Sequence, residues 1–121
     1  MKRTLVIGAS ENPERYSNKA IRALLTHQQE VVALGLKKGN VQGLEFHTEK
    51  EDFEDIDTVT LYVGPQNQPG YYDYIIGLKP RRVIFNPGTE NPEFISKLKS
   101  AGIYPEIACT LVLLATDQYE N

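Results

Sequence analysis

The run Leu5-Val6-Ile7 passes without a polar residue into Gly8-Ala9-Ser10, and a helical pattern follows. An apolar strand that breaks at glycine and then opens a helix points a chain toward α/β architecture. Glycine lets the backbone approach a neighbour or a ligand closely. The helix start presents unpaired N–H groups at the positive end of its dipole. The junction therefore predicts an anion site, suited to a phosphate.

Strand and helix patterns alternate along the rest of the chain. Thr4 to Ile7 reads as a buried strand, and Ser17 is placed to cap a helix carrying Ala20, Ile21, Leu24 and Leu25 at helical spacing. Glu30 to Leu34 is a second strand that ends at Gly35, and Leu36 to Gly39 is a loop by composition. Leu44 to His47 predicts a short extra strand and Asp52 to Ile56 a brief helical turn. Asp57 to Val63, β-branched and aromatic, predicts a central strand stopped by Gly64-Pro65. Tyr71, Tyr74, Ile75 and Leu78 mark a helix packing a tyrosine face on the sheet before Lys79-Pro80. Arg82 to Phe85 is the next strand, closed by Asn86-Pro87-Gly88. Asn91-Pro92 opens a helix with proline where no N–H is needed, and Phe94, Ile95 and Leu98 line its inner face. Gly102 ends that helix, and Ile103-Tyr104 begins a last strand. Leu111 to Leu114 is an apolar segment suited to packing on the sheet or at a dimer contact.

This alternation predicts a doubly wound α/β fold: one mainly parallel sheet between two helical layers, αβα, in a single domain over residues 1–121. Ligands of such folds bind beyond the carboxyl ends of the strands. Four loops share that end: Gly8-Ala9-Ser10, Gly35 to Gly39, Val63-Gly64-Pro65 and Asn86-Pro87-Gly88. A net charge of −3 and a pI near 5.4 argue against a nucleic-acid or anionic-membrane surface. The single cysteine forms no internal disulfide, which suits a reducing compartment. The apolar stretch behind Met1-Lys2-Arg3 is too short for a signal core or a membrane span, so the expected location is the cytoplasm.

The ligand is narrowed by the first two loops. The dinucleotide fingerprint G-x-G-x-x-G is incomplete, with Gly8, Ser10 and Pro13 at its three glycine positions. An NAD site places an acidic residue after the second strand to hold the ribose hydroxyls. This chain has Leu34-Gly35-Leu36 and then Lys37-Lys38. Two ammonium groups there suit a phosphate on the ribose, as in coenzyme A with its 3′-phosphate or in NADP.

The series G-A-S-E-N-P-E-R-Y-S-N-K-A, a basic loop, Y-V-G-P, N-P-G-T-E-N and a late cysteine resembles the small CoA-binding proteins. Their domain is similar to the CoA-binding domain of the succinyl-CoA synthetase α subunit, and the likeness covers nearly the whole chain. The resemblance implies a Rossmann-like fold with CoA or an acyl-CoA lying across the strand ends. It places Gly8, Ala9 and Ser10 by the pyrophosphate or pantetheine, with Ser17 and Asn18 donating to phosphate oxygens. Lys37 and Lys38 fall near the 3′-phosphate. Val63, Gly64 and Pro65 border the adenine or pantetheine, and Asn86, Pro87 and Gly88 lie near the thiol end. The synthetase's phosphohistidine segment has no counterpart in these 121 residues.

Cys109 has two readings: a buried structural thiol, or a neighbour of the ligand thiol able to form a mixed disulfide with it. No Ser/His/Asp set and no metal-ligand spacing occurs in the chain. His27 reads as a surface residue at a helix end and His47 as a surface strand residue, with no catalytic role for either. The acidic run Glu49 to Asp57 reads as a solvated face. The expectation is a stand-alone module that binds a small nucleotide ligand, coenzyme A or acyl-CoA, without catalytic machinery and open to homodimer formation. An NADP-binding oxidoreductase module and an interaction subunit with a vestigial pocket are the alternatives.

Overall fold

Short apolar runs that alternate with helical segments must bury both faces of each strand, and the computed structural model, which describes residues 2–120, shows how this is done. The elements are β1 (Arg3–Ala9), α1 (Tyr16–Thr26), β2 (Glu30–Gly35), β3 (Asn40–Val41), β4 (Leu44–Glu45), β5 (Ile56–Leu61), α2 (Tyr72–Leu78), β6 (Arg82–Phe85), α3 (Pro92–Ser100), β7 (Tyr104–Ile107) and α4 (Thr110–Ala115). Five strands form one sheet in the order β2-β1-β5-β6-β7, and every neighbouring pair is parallel. β3 and β4 form a separate antiparallel hairpin beside β2, where His47 bridges to Leu34.

Period-two alternation sorts the strand residues onto two faces. Leu5, Ile7, Val59, Leu61, Val83 and Phe85 pack against Tyr72 and Ile75 of α2 and Phe94 and Leu98 of α3. Val6, Ala33 and Ile84 pack against Ile21 and Leu24 of α1 and Leu113 and Leu114 of α4. Each fully buried large apolar side chain contributes about 1.5–3 kcal/mol, so neither helical layer is dispensable. The result is the three-layer, Rossmann-like α/β fold expected from the sequence.

The α1/α4 face also buries a polar seam. Thr4 and Tyr119 share a hydroxyl hydrogen bond of 2.5 Å, and Thr60 and Thr110 share one of 2.8 Å. The fully buried Arg82 donates to Thr58 at 2.9 Å, to Glu106 at 2.8 Å and to the Tyr119 carbonyl. Its guanidinium lies 4.6 Å from the centre of the Tyr119 ring. A buried charge needs such partners, and here they tie the C-terminal segment to the sheet.

Several local expectations are corrected. The residue preceding α1 is Arg15, with no side-chain cap, and Ser17 lies inside the first turn, buried. Asp52 to Ile56 contains no helix: Asp55 takes a left-handed φ of 60° and Ile56 already opens β5. The Leu44 to His47 strand shrinks to Leu44–Glu45 plus the His47 bridge. β5 stops at Leu61 because Tyr62 and Val63 turn into two 3-10 turns, Pro65–Asn67 and Pro69–Tyr71, ahead of α2. α3 opens at Pro92 as expected, and Asn91 caps it, accepting from the Phe94 N–H at 3.2 Å. Leu111 to Leu114 lies in α4, with Leu113 and Leu114 buried on the sheet side. Among the described residues no helix is long and apolar enough to cross a membrane.

Candidate functional site

β1 lies between β2 and β5, and the chain leaves β1 for α1 on one face but reaches α2 on the other after β5. Loops that diverge in this way open a crevice at the carboxyl ends of the two strands. The crevice has a volume of about 1020 Å³, at the upper end of the roughly 300–1,000 Å³ of small-molecule sites. It therefore suits a large or elongated ligand.

Gly8 makes the opening possible. Its φ is +99°, and a Cβ there would lie 2.6 Å from the Tyr62 carbonyl oxygen. The strands are tied at this level by the Tyr62 N–H, which donates to the Ile7 carbonyl at 2.9 Å. The loop beyond is held by its own hydrogen bonds. The Asn12 N–H donates to Ser10 Oγ at 3.1 Å, and the Glu14 N–H to Asn12 Oδ1 at 3.0 Å. Asn18 Nδ2 donates to the Ser10 carbonyl at 2.9 Å. No side chain caps α1 and no acidic residue sits in its first turn. Its leading N–H groups and positive dipole end are thus left for an anion.

The opposite wall is the exposed segment Leu36-Lys37-Lys38 after β2. Neither lysine is paired with a carboxylate among the described residues. Leu36 is 89% exposed at the mouth, an apolar surface with nothing covering it. Glu11 crosses from the β1–α1 loop, and its Oε2 accepts from the Asn40 N–H at 2.9 Å. Phe46, Tyr62 and Val63 also line the crevice. The Tyr62 hydroxyl is buried beside Thr60 and Thr110 without a partner in good geometry. Burial, with a smaller effect of the neighbouring Cys109, pushes its phenol well above the ordinary tyrosine range, so it is a neutral donor at any ordinary pH.

The fold gathers Gly8, Ala9, Ser10, Ser17, Lys37, Lys38 and Val63 around this one crevice. Others named from the sequence stand elsewhere. Asn18 lies beneath the loop, its amide on Ser10 and its Oδ1 accepting from Arg22 Nε at 2.8 Å. Asn86 is buried with its side chain turned inward: Nδ2 donates to Thr60 Oγ1 at 2.7 Å and the Leu61 carbonyl at 2.9 Å, and Oδ1 accepts from the Thr110 N–H at 2.9 Å. Gly64, Pro65, Pro87 and Gly88 occupy the same end of the sheet outside the crevice. Cys109 is half-buried just beyond β7 and opens α4. Sequence reasoning passed over Glu11, Arg15, Tyr16 and Tyr71, which line the crevice. Glu11 carries no local sequence signal, because its approach to Gly39, where a Cβ would meet the Glu11 side chain, arises only in the folded chain.

Among the described residues, no group of three His, Cys, Asp or Glu is placed to hold a metal ion. His27 bonds the Ala23 carbonyl at 2.8 Å and His47 bonds Glu51 at 2.9 Å, and neither lines the crevice.

Residues 2–115 match a family model described as "CoA binding domain". A crystal structure of an uncharacterized protein is 48% identical, with a TM-score of 0.94 over 98% of each chain. The cell-free ID.343 structure from Thermus thermophilus is 22% identical, with a TM-score of 0.86 over 97% of this chain and 90% of that one. The dinucleotide forming acetyl-coenzyme A synthetase 1 of Ca. Korarchaeum cryptofilum shares the fold at 17% identity and a TM-score of 0.72. That match covers 89% of this chain and 25% of the synthetase. No curated protein matches the chain.

Proposed function

The chain belongs to the CoA binding domain family, and from that premise we propose that its crevice binds coenzyme A or an acyl-CoA and acts by recognition alone. The observation that carries this reading is the meeting of two cationic features in one cleft. The uncapped start of α1 and the unpaired Lys37 and Lys38 face the same space. The residues fit the group. Gly8, Ala9, Ser10 and the backbone N–H of Ser17 suit the pyrophosphate, and the lysines suit the 3′-phosphate. Leu36 and Val63 supply apolar surface for the adenine and pantetheine. The pantetheine arm then runs along the strand ends past Pro87 and Gly88 toward the half-buried Cys109. Asn18 and Asn86 act from beneath, by shaping the loops that carry these contacts.

Calorimetry with CoA, dephospho-CoA and NADPH tests the reading. Binding of CoA with a clear loss for dephospho-CoA is expected. A preference for NADPH, or no binding of any of the three, would overturn it. Lys37→Gln with Lys38→Gln should weaken CoA by roughly 10- to 100-fold, the scale of lost charge-assisted hydrogen bonds, and should leave dephospho-CoA much less affected. Equal weakening of both would place the 3′-phosphate elsewhere.

A further inference from the structure

Lysines cannot by themselves tell one ribose phosphate from another. An ammonium is a point charge on a flexible stem, and it meets a phosphate on the 2′- or the 3′-oxygen equally well. A fixed carboxylate can discriminate, since it accepts from a hydroxyl and repels a phosphate at the same position. Dinucleotide sites place such an acid at the end of the second strand. Here Gly35 and Leu36 occupy that place, yet the fold delivers a carboxylate to the same wall from another loop.

Glu11 lines the crevice beside the Lys37-Lys38 segment. It is held at two points. Its Oε2 accepts from the Asn40 N–H at 2.9 Å, and this bond leaves Oε1 without a protein partner among the described residues. The side chain also lies across Gly39, where a Cβ would stand 2.6 Å from Glu11 Cγ and 2.7 Å from Cδ. Gly39 directly follows Lys38, so the carboxylate is fixed next to the cations that take the ribose phosphate.

We propose that Glu11 is the ribose selector of this crevice: its free oxygen accepts from the 2′-hydroxyl, and its charge excludes a 2′-phosphate. The site then takes 3′-phosphoadenosine ligands and refuses 2′-phosphoadenosine ones. This rests on the CoA reading above.

The test uses the full chain, CoA, and the two isolated head groups, adenosine 3′,5′-bisphosphate and adenosine 2′,5′-bisphosphate, as competitors. The wild-type protein should prefer the 3′,5′ isomer by about tenfold or more, the scale on which a site rejects a ligand that leaves its polar group unpaired. Glu11→Gln keeps an oxygen for the Asn40 N–H but removes the charge, and it should bring the two isomers to within about threefold by strengthening the 2′,5′ one. Gly39→Ala forces the carboxylate aside while keeping it in the chain, and it should also erode the preference. A wild-type protein that binds CoA without distinguishing the isomers, or a preference that survives both substitutions, overturns the proposal and leaves the CoA reading standing. A wild-type protein that fails to bind CoA removes the reading beneath it as well.

Discussion

Gly8→Ala separates two costs that are usually confounded. At φ +99°, a residue with a Cβ sits in a strained region worth about 1–3 kcal/mol. The same Cβ would lie 2.6 Å from the Tyr62 carbonyl oxygen and 3.0 Å from its carbon. These are backbone atoms and cannot swing away, so β1 and β5 must part where the Tyr62 N–H bonds Ile7. Overpacking of this kind costs a further ~1–3 kcal/mol. Gly88→Ala is the matched control, because its φ is +92° and nothing lies within 4 Å of the added Cβ. Alanine also restricts the unfolded chain, an effect of about 0.4–1 kcal/mol that is shared by both variants and cancels in their difference. Gly8→Ala should therefore be less stable than Gly88→Ala by about 1–3 kcal/mol in urea unfolding, a Tm gap of roughly 4–12 °C at this chain length. Equal destabilisation, within about 0.5 kcal/mol, would refute the claim that the two strand ends meet at Gly8.

Other outcomes follow from the same contacts. Asn86→Ala orphans the Thr110 N–H and the Leu61 carbonyl inside the protein, and urea unfolding should show a loss of about 2–4 kcal/mol. Burial raises the Asp57 carboxyl, but the Arg81 and Thr58 hydrogen bonds and the Arg81 charge outweigh it, and the folded pKa lies below the ordinary 3.8. With the folded value depressed, this stabilisation is complete above 3.8 and is lost as pH falls through 3.8 toward the folded pKa. Arg81 is 44% exposed, so the effect should not exceed about 1 kcal/mol. Thermal melts between about pH 5 and pH 2 should show it in the wild type and not in Asp57→Asn.

Much of the fold could be read before any coordinates because its signals are local. Strand runs such as Glu30 to Leu34 and Arg82 to Phe85 end at glycine or asparagine, and the Asn91-Pro92 helix start follows from proline's missing N–H, which the first turn does not need. The Ser17 cap failed because three preceding loop residues, Asn12, Glu14 and Arg15, already satisfy the backbone among themselves and start the helix earlier. The Asp52 to Ile56 turn failed because burial of Ile56 against the core drew that residue into β5.

The candidate site divides along the same line. Gly8, Ala9, Ser10, Lys37 and Lys38 were legible because glycine freedom and a basic loop after a strand carry meaning without knowledge of neighbours. That β1 and β5 are adjacent, so that the loops after β1, β2 and β5 enclose the crevice together with the start of α1 and Phe46 beyond β4, is set by strand order. Asn86 turned inward because the buried ends of β5 and α4 needed its amide, and Glu11 reached Gly39 because two loops remote in sequence converge. Periodicity reports which face of an element is apolar and where the element stops. Which ends meet, and which polar group satisfies which, depends on long-range packing that no local pattern contains.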